Sequence, residues 1–235
     1  MTQRLINFIK YTKSRVQKTV QMSYCGLGSA SDHYYLKKDI SHLNTVLDLG
    51  ACVGEFSREL SLMRPDASYI LVEANPNLAL KLHKLITPKN KKIINACIVG
   101  EKDRNKKNVL FNLTDNISSS TMNDDFAKNI LIREKIRVPT ITMEKIFNLC
   151  SIKKIDLLKI DIEGAEWGLL ETFGKDEYER IKSITIEFHD FIDARFQTQT
   201  LNCIERLKLL GYKFISENNA YFGKYFNCLF YKQDE

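Results

Sequence analysis

"TVLDLGACVGEFSRELSLMRPDASYILVE", residues 45–73, passes from an apolar run to glycine, then to an amphipathic stretch, then to a second apolar run. TVLDLG (45–50) reads as a short strand ending in glycine, EFSRELSLM (55–63) as a helix with one apolar face, and SYILVE (68–73) as the next strand. Strands apolar on both faces and joined through helices belong to a parallel sheet covered by helices on either side.

The rhythm continues outward from this unit. NLALKLHKLI (77–86) is helical and KIINACIV (92–99) is a third strand. Further on come the helix MEKIFNLC (143–150), the strand IDLLKID (155–161), the helix AEWGLLETF (165–173), the strand SITIEFH (183–189) and the helix TLNCIERLKLLG (200–211). YKFISE and KYFNCLFYK flank the turn-like NNAYFG and predict an antiparallel hairpin near the end of the chain. Residues 100–142 break the alternation. They offer a polar turn, EKDRNKKN, a short strand, VLFNLT, and a loop of small polar residues, DNISSSTMNDD. Such a loop either shapes an acceptor pocket over the strand ends or simply crosses the surface.

Residues 4–20, RLINFIKYTKSRVQKTV, place Leu5, Phe8, Ile9, Thr12, Val16 and Val20 on one helical face. Residues 1–43 are therefore expected to form a helical cap or extension, and 44–235 a single domain. The basic helix either packs on that domain or makes peripheral contact with a membrane surface.

Composition narrows the class. A chain of 235 residues with 44% hydrophobic and 27% charged residues fits one α/β domain with one large core. No run reaches the roughly eighteen apolar residues of a membrane span, and MTQRLINFIKYTKSR lacks the uninterrupted apolar centre of a secretion signal. The six cysteines form no C-x-x-C pair, which suits reduced thiols in a cytoplasmic protein rather than a zinc site or disulfide framework. The net charge of +6 comes from local clusters, Arg4 to Lys18 and Lys102 to Lys107. A solvated surface accounts for it, with nucleic acid as the other partner to weigh.

The glycine turn points to a nucleotide-type cofactor. Asp48, Gly50 and Gly54 stand at a strand-to-helix junction, where glycine admits a ligand close to backbone and the helix offers unpaired N–H groups. The spacing is G-x-x-x-G preceded by an acid, not the G-x-G-x-x-G that cradles a pyrophosphate. An acid there suits an ammonium or sulfonium ligand instead. The next strand ends at Glu73, whose carboxylate can accept hydrogen bonds from both hydroxyls of a ribose.

These residues resemble the seven-strand S-adenosylmethionine-dependent methyltransferases, and within them the FkbM family, over roughly residues 44–190. The carrying stretches are VLDLGACVGEFS, LVEANPNLALKL, NACIVGEKD, VPTITMEKI, DLLKIDIEGAEWGLLETF and ITIEFHD. The resemblance implies a doubly wound, Rossmann-like α/β sheet of order 3-2-1-4-5-7-6 with strand seven antiparallel. It also implies S-adenosylmethionine as cofactor and O-methylation of sugars or other small hydroxylated molecules. By position it assigns Asp48, Gly50, Ala51 and Gly54 to the methionine-side turn, Glu73 to the ribose, and Ala74 and Cys97 to the adenine; Cys97 also reads as a small core residue. Where this family often has proline after the ribose acid, the chain has Ala74 before Asn75 and Pro76.

The second cluster of chemistry lies in "DLLKIDIEGAEW", 156–167, where Asp161, Glu163 and Glu166 follow one another around Gly164. Carboxylates in the first turn of a helix offset its dipole, a sufficient reading for Glu166. Asp161 is expected to face the cleft from the strand end. Glu187 and His189, two apart on the neighbouring strand, share a face and can converge on Asp161. His189, with an unperturbed pKa of about 6.5, is the expected base for an acceptor hydroxyl, with Glu187 or Asp161 orienting it or acting in its place. The same three residues can also hold a divalent metal, which the sequence does not establish. Lys159 opposes Ile160 in the pleat, and whether it reaches Asp161's side is left open; it contacts substrate or braces the strand end. Glu163, Ser119 and Ser120 complete the candidate substrate residues.

The expected function is an S-adenosylmethionine-dependent O-methyltransferase acting on a glycan or small hydroxylated metabolite. The alternatives are an RNA methyltransferase, against which stands the lack of an N/D-P-P-Y/F tetrad after the fourth strand, and a non-catalytic cofactor-binding protein.

Overall fold

Alternate residues of the central strands are apolar on both sides, and this dictates two packed layers. The computed structural model describes residues 26–116, 120–128, 130–191, 193–216 and 225–233. The described chain opens with a hairpin, β1 (Leu27–Ala30) and β2 (His33–Leu36). It continues through β3 (Thr45–Leu49), α1 (Glu55–Met63), β4 (Ser68–Glu73), α2 (Pro76–His83), β5 (Lys91–Asn95) and the two-residue β6 (Cys97–Ile98). Next come β7 (Asn108–Thr114), α3 (Asp124–Ala127), β8 (Ile132–Ile141), α4 (Met143–Leu149) and β9 (Ile155–Ile160). The last elements are α5 (Glu166–Leu170), α6 (Lys175–Glu179), β10 (Ile181–Glu187), α7 (Ala194–Leu209), β11 (Lys213–Ser216) and β12 (Asn227–Tyr231).

Seven strands form one sheet in the order β11-β12-β10-β9-β3-β4-β5. The five from β10 to β5 are parallel neighbours, and β12 runs antiparallel to both β10 and β11. One face packs Leu47, Leu49, Leu158, Ile160, Ile184 and Ile186 into the larger core, with Trp167, Phe173, Tyr178 and Leu207 from the covering helices. The other face packs Val46, Tyr69, Leu71 and Leu157 against Phe56 and Leu60 of α1. This is a Rossmann-like α/β architecture with a mostly parallel central sheet.

Two elements differ from the sequence reading. The helix expected over 4–20 lies outside the described residues. Residues 27–36, assigned with it to a helical cap, form the β1–β2 hairpin instead. All four β2 residues are buried, and the backbone N–H of Tyr34 donates to Thr185 Oγ1 of β10 at 3.0 Å, so the hairpin is tied to the main sheet. The insertion 100–142 contains β8, a ten-residue strand that pairs antiparallel with β7 and parallel with β6. Its sequence, IREKIRVPTI, carries charge on both sides and a proline, so alternation could not reveal it.

The close approach of β3 and β9 positions the site. The N–H of Asp161 donates to Leu49 O at 3.2 Å. A Cβ at Gly50, whose φ is +75°, would lie 1.8 Å from the carbonyl oxygen of Asp161. Only glycine allows the two strand ends to meet there.

Candidate active site

The cofactor end is built from backbone. The N–H groups of Gly50 and Ala51 both donate to Val72 O, at 3.0 and 3.1 Å, fastening the glycine turn to β4. Glu73 at the end of β4 accepts from Cys52 N through Oε2 and from Asn75 N through Oε1, each at 2.8 Å. Burial pushes its pKa up, against the pull of those two N–H groups. Asn75 also caps α2, its Oδ1 accepting from Asn77 N at 3.0 Å with Pro76 following. The Ala-Asn-Pro departure from the family pattern thus makes a capped turn that holds the acid in place.

Beside this turn opens a cleft with about 610 Å³ of free space, open solvent at its mouth included. Its lining includes Gly50, Glu73, Ala74, Cys97, Ser120, Met122, Asp161 and Glu163.

Around Asp161 and Glu163 stands a group of ionisable side chains. His189 Nε2 lies 3.3 Å from Glu163 Oε2, 3.5 Å from Glu187 Oε1 and 3.9 Å from Asp161 Oδ1. Its Nδ1 lies 3.2 Å from Glu166 Oε1. His33, from the hairpin, brings Nε2 to 3.6 Å from Asp161 Oδ2. Lys159 Nζ lies 3.2 Å from the same oxygen. Burial alone would lower the His189 pKa, but Glu166, then Glu163 and Asp161, push it up to about 10. Burial raises Glu163 to about 8, with His189 opposing and the neighbouring carboxylates adding. Glu187 is likewise raised to about 8, by burial and then by Asp161. Asp161 is the exception. Burial acts to raise it, yet Lys159 and His33 hold it far below the usual carboxylate range.

The profile of the Methyltransferase FkbM domain matches residues 48–214, which takes in the glycine turn, Glu73 and every member of this cluster except His33. The chain belongs to the FkbM family of S-adenosylmethionine-dependent methyltransferases. No curated protein matches it in sequence. Solved structures that resemble it include precorrin-6y C5,15-methyltransferase from Geobacter metallireducens GS-15, with 14% identity, 84% of this chain and 87% of that one covered, and a TM-score of 0.43. The N-terminal domain of human METTL16 in complex with SAH shares 12% identity over 84% of this chain and 64% of that one, TM-score 0.43. The Methanococcus jannaschii fibrillarin pre-rRNA processing protein shares 14% identity over 87% and 80%, TM-score 0.43.

In this FkbM chain several expected roles move. Asp48, read as the partner of a cationic ligand, is fully buried beneath the turn. It accepts from Ser57 Oγ at 2.7 Å and lies 3.5 Å from Lys159 Nζ, so its charge is met from within. Gly54 is a packing residue: a Cβ there would lie 2.6 Å from Leu85 Cδ1 and 2.9 Å from Leu82 Cδ2. Ala51 is buried behind the turn. Lys159 does not contact the cleft. Residues 159 and 161 share a face of β9, and the buried ammonium donates to Gly50 O at 2.7 Å. It braces the ends of β3 and β9. His189 is held protonated near neutral pH and so is not the free base expected of it.

Glu166 is more than a dipole-offsetting carboxylate. It is wholly buried, and Oε1 accepts from Ile162 N at 3.0 Å and Gly164 N at 3.1 Å as well as facing His189. Ser119 lies outside the described residues; Ser120 lines the cleft, its Oγ accepting from Thr114 N at 3.3 Å. The insertion clamps the acidic loop from above. Thr121 Oγ1 donates to Glu163 O at 2.6 Å, Asn123 Nδ2 donates to Gly164 O, and the Phe126 ring stands edge-on to His189 at 5.5 Å. Glu163 takes a left-handed φ of 54° within this clamp. His33 and Phe126 carried no signal in the sequence, since neither sits in a motif or near the acids in the chain.

Proposed function

We propose that this chain transfers the methyl group of S-adenosylmethionine to an oxygen of a glycan or another small hydroxylated molecule. The observation that carries the reading is that Glu73, suited to anchor a ribose, and Glu163, suited to accept a proton, line one cleft. Glu73, with both oxygens fixed by backbone N–H groups, presents its remaining lone pairs to a ribose. Ala74 and Cys97 offer small walls for a flat ring, and Gly50 lets the chain approach the methionine part. When bound, the cofactor supplies an electrophilic methyl group on a positively charged sulfur. Asp161, held ionised on the cleft wall, is the acid that meets positive charge in place of Asp48.

Glu163 takes the acceptor's proton. It lines the cleft, and with its pKa pushed up to about 8 its ionised form, whose share grows as pH rises towards 8, is a stronger base than an ordinary carboxylate. Protonated His189 behind it balances the charge. The cleft aligns donor and acceptor, which can supply most of the acceleration for a displacement with so good a leaving group. An RNA acceptor is disfavoured, because ionised Asp161 lines the cleft and would repel a phosphate backbone.

The test is calorimetry with S-adenosylmethionine and its demethylated product, followed by isotope-labelled transfer to sugars and cell extracts. Binding of both, with label in an acid-stable ether, supports the reading. Absence of heat with either ligand overturns it.

A further inference from the structure

We infer that Asp161, Glu163 and His189 form a binding site for one divalent first-row transition-metal ion at the acceptor side of the cleft, with Glu187 and His33 flanking it. Three carboxylate oxygens surround His189 Nε2 at 3.3, 3.5 and 3.9 Å. A single N–H cannot serve three acceptors, and each distance exceeds the usual N–H···O range. An ion with ligand bonds of about 2.1 Å sets neighbouring ligand atoms roughly 3.0 Å apart and opposite ones roughly 4.2 Å apart. The three separations fall inside that span, as does the 3.6 Å between His33 Nε2 and Asp161 Oδ2. The ligand atoms of His33, Asp161 and Glu187 lie within 4.8 Å of one another, as do those of Asp161, Glu163 and His189. Asp161 joins the two sets.

An unmet polar atom points the same way. Among the described residues, Asp161 Oδ1 is buried with no hydrogen-bond partner, and it faces His189 Nε2 at 3.9 Å. Burying a polar side chain without a partner is costly, so something else is expected to engage this group.

The backing is that of a ligating imidazole. Such a histidine uses its far nitrogen to contact a carboxylate, which fixes the ring and leaves the near nitrogen for the ion. His189 Nδ1 faces Glu166, which is itself locked by Ile162 N and Gly164 N. An imidazole among the ligands favours manganese, iron, cobalt or zinc over magnesium or calcium, which prefer oxygen alone. A hydroxyl on such an ion loses its proton more readily. Glu163, holding the ion through Oε2, would keep Oε1 for that proton. This use of the ion rests on the function proposed above; its binding does not.

The experiment is titration of the metal-depleted full chain with Co²⁺ in the absence of cofactor, followed by calorimetry and visible absorption. The expected result is one ion per chain. Asp161→Asn and Glu163→Gln should each weaken uptake at least about tenfold, and Glu166→Gln by about 10–100-fold through the His189 ring. Thermal melts without metal establish that each variant is folded. No uptake by the parent chain, or equal uptake by the parent and all three variants, overturns the inference. A parent that binds S-adenosylhomocysteine but not Co²⁺ sinks the metal site alone; one that binds Co²⁺ but not S-adenosylhomocysteine supports the site and sinks the proposed function.

Discussion

His189 Nδ1 lies 3.2 Å from Glu166 Oε1, and both side chains are shut away from solvent at the junction of β10 and α5. A fully buried carboxylate is tolerated when its charge is met, and here an imidazolium and two backbone N–H groups meet it. Glu166→Gln keeps the shape and an acceptor oxygen but removes the charge. Stability should fall by about 1–3 kcal/mol. The His189 imidazole should also titrate at lower pH by NMR, which a purely steric effect would not produce.

The same cluster sets a pH dependence for the metal-free chain. His189, Glu163 and Glu187 all have folded pKa values raised, to about 10, 8 and 8. The folded state therefore binds more protons than the unfolded state between about pH 4.5 and 10, and stability falls as pH rises through that window. Asp161 acts oppositely. Its pKa is lowered, so its contribution is present above about pH 4 and lost on acidification. Melting in chelator should be highest in mild acid and decline steadily towards pH 9; a melting temperature that rises from pH 6 to 9 would contradict the assigned charges.

Lys159 is a structural cation. Lys159→Met would leave Asp48 and Asp161 without their shared ammonium in a buried setting. Removing one member of a buried charge group costs about 3–5 kcal/mol. Chemical denaturation should register a loss of that order. A variant as stable as the parent but impaired only towards acceptor would restore the substrate role.

Glu73→Gln should weaken the cofactor and little else. A hydrogen bond to a charged group contributes about 1.5–3 kcal/mol, equivalent to about 10–100-fold in affinity. Calorimetry with S-adenosylhomocysteine measures it directly, and an unchanged dissociation constant would remove Glu73 from the ribose.

Glu163→Gln should separate binding from transfer. Loss of a positioned base lowers turnover by about 10²–10⁴-fold, while affinity for S-adenosylhomocysteine should stay near the parent value. Transfer at the parent rate would pass the base role to Glu187.

The parallel sheet was legible because its strands are short apolar runs separated by helical periods, and β3, β4 and β9 carry no competing pattern. Glu73 and the convergence of Asp161, Glu187 and His189 followed from strand ends and a period of two. Lys159 could have been placed the same way, since residues two apart on a strand share a face. Protonation was not legible: whether His189 gives or keeps a proton depends on four carboxylates, three from the stretch 161–166 and Glu187 from the next strand. Nor was β8, whose residues pair at an exposed ribbon and need no apolar alternation, or the hairpin, whose eight strand residues look like any loop of tyrosine and small side chains.

His33 has a consequence for where this enzyme family ends. It precedes the matched region, yet it reaches the innermost acid. Trimming the chain to residues 48–214 would therefore remove the imidazole that stands 3.6 Å from Asp161, together with the hairpin tied to β10 through Tyr34.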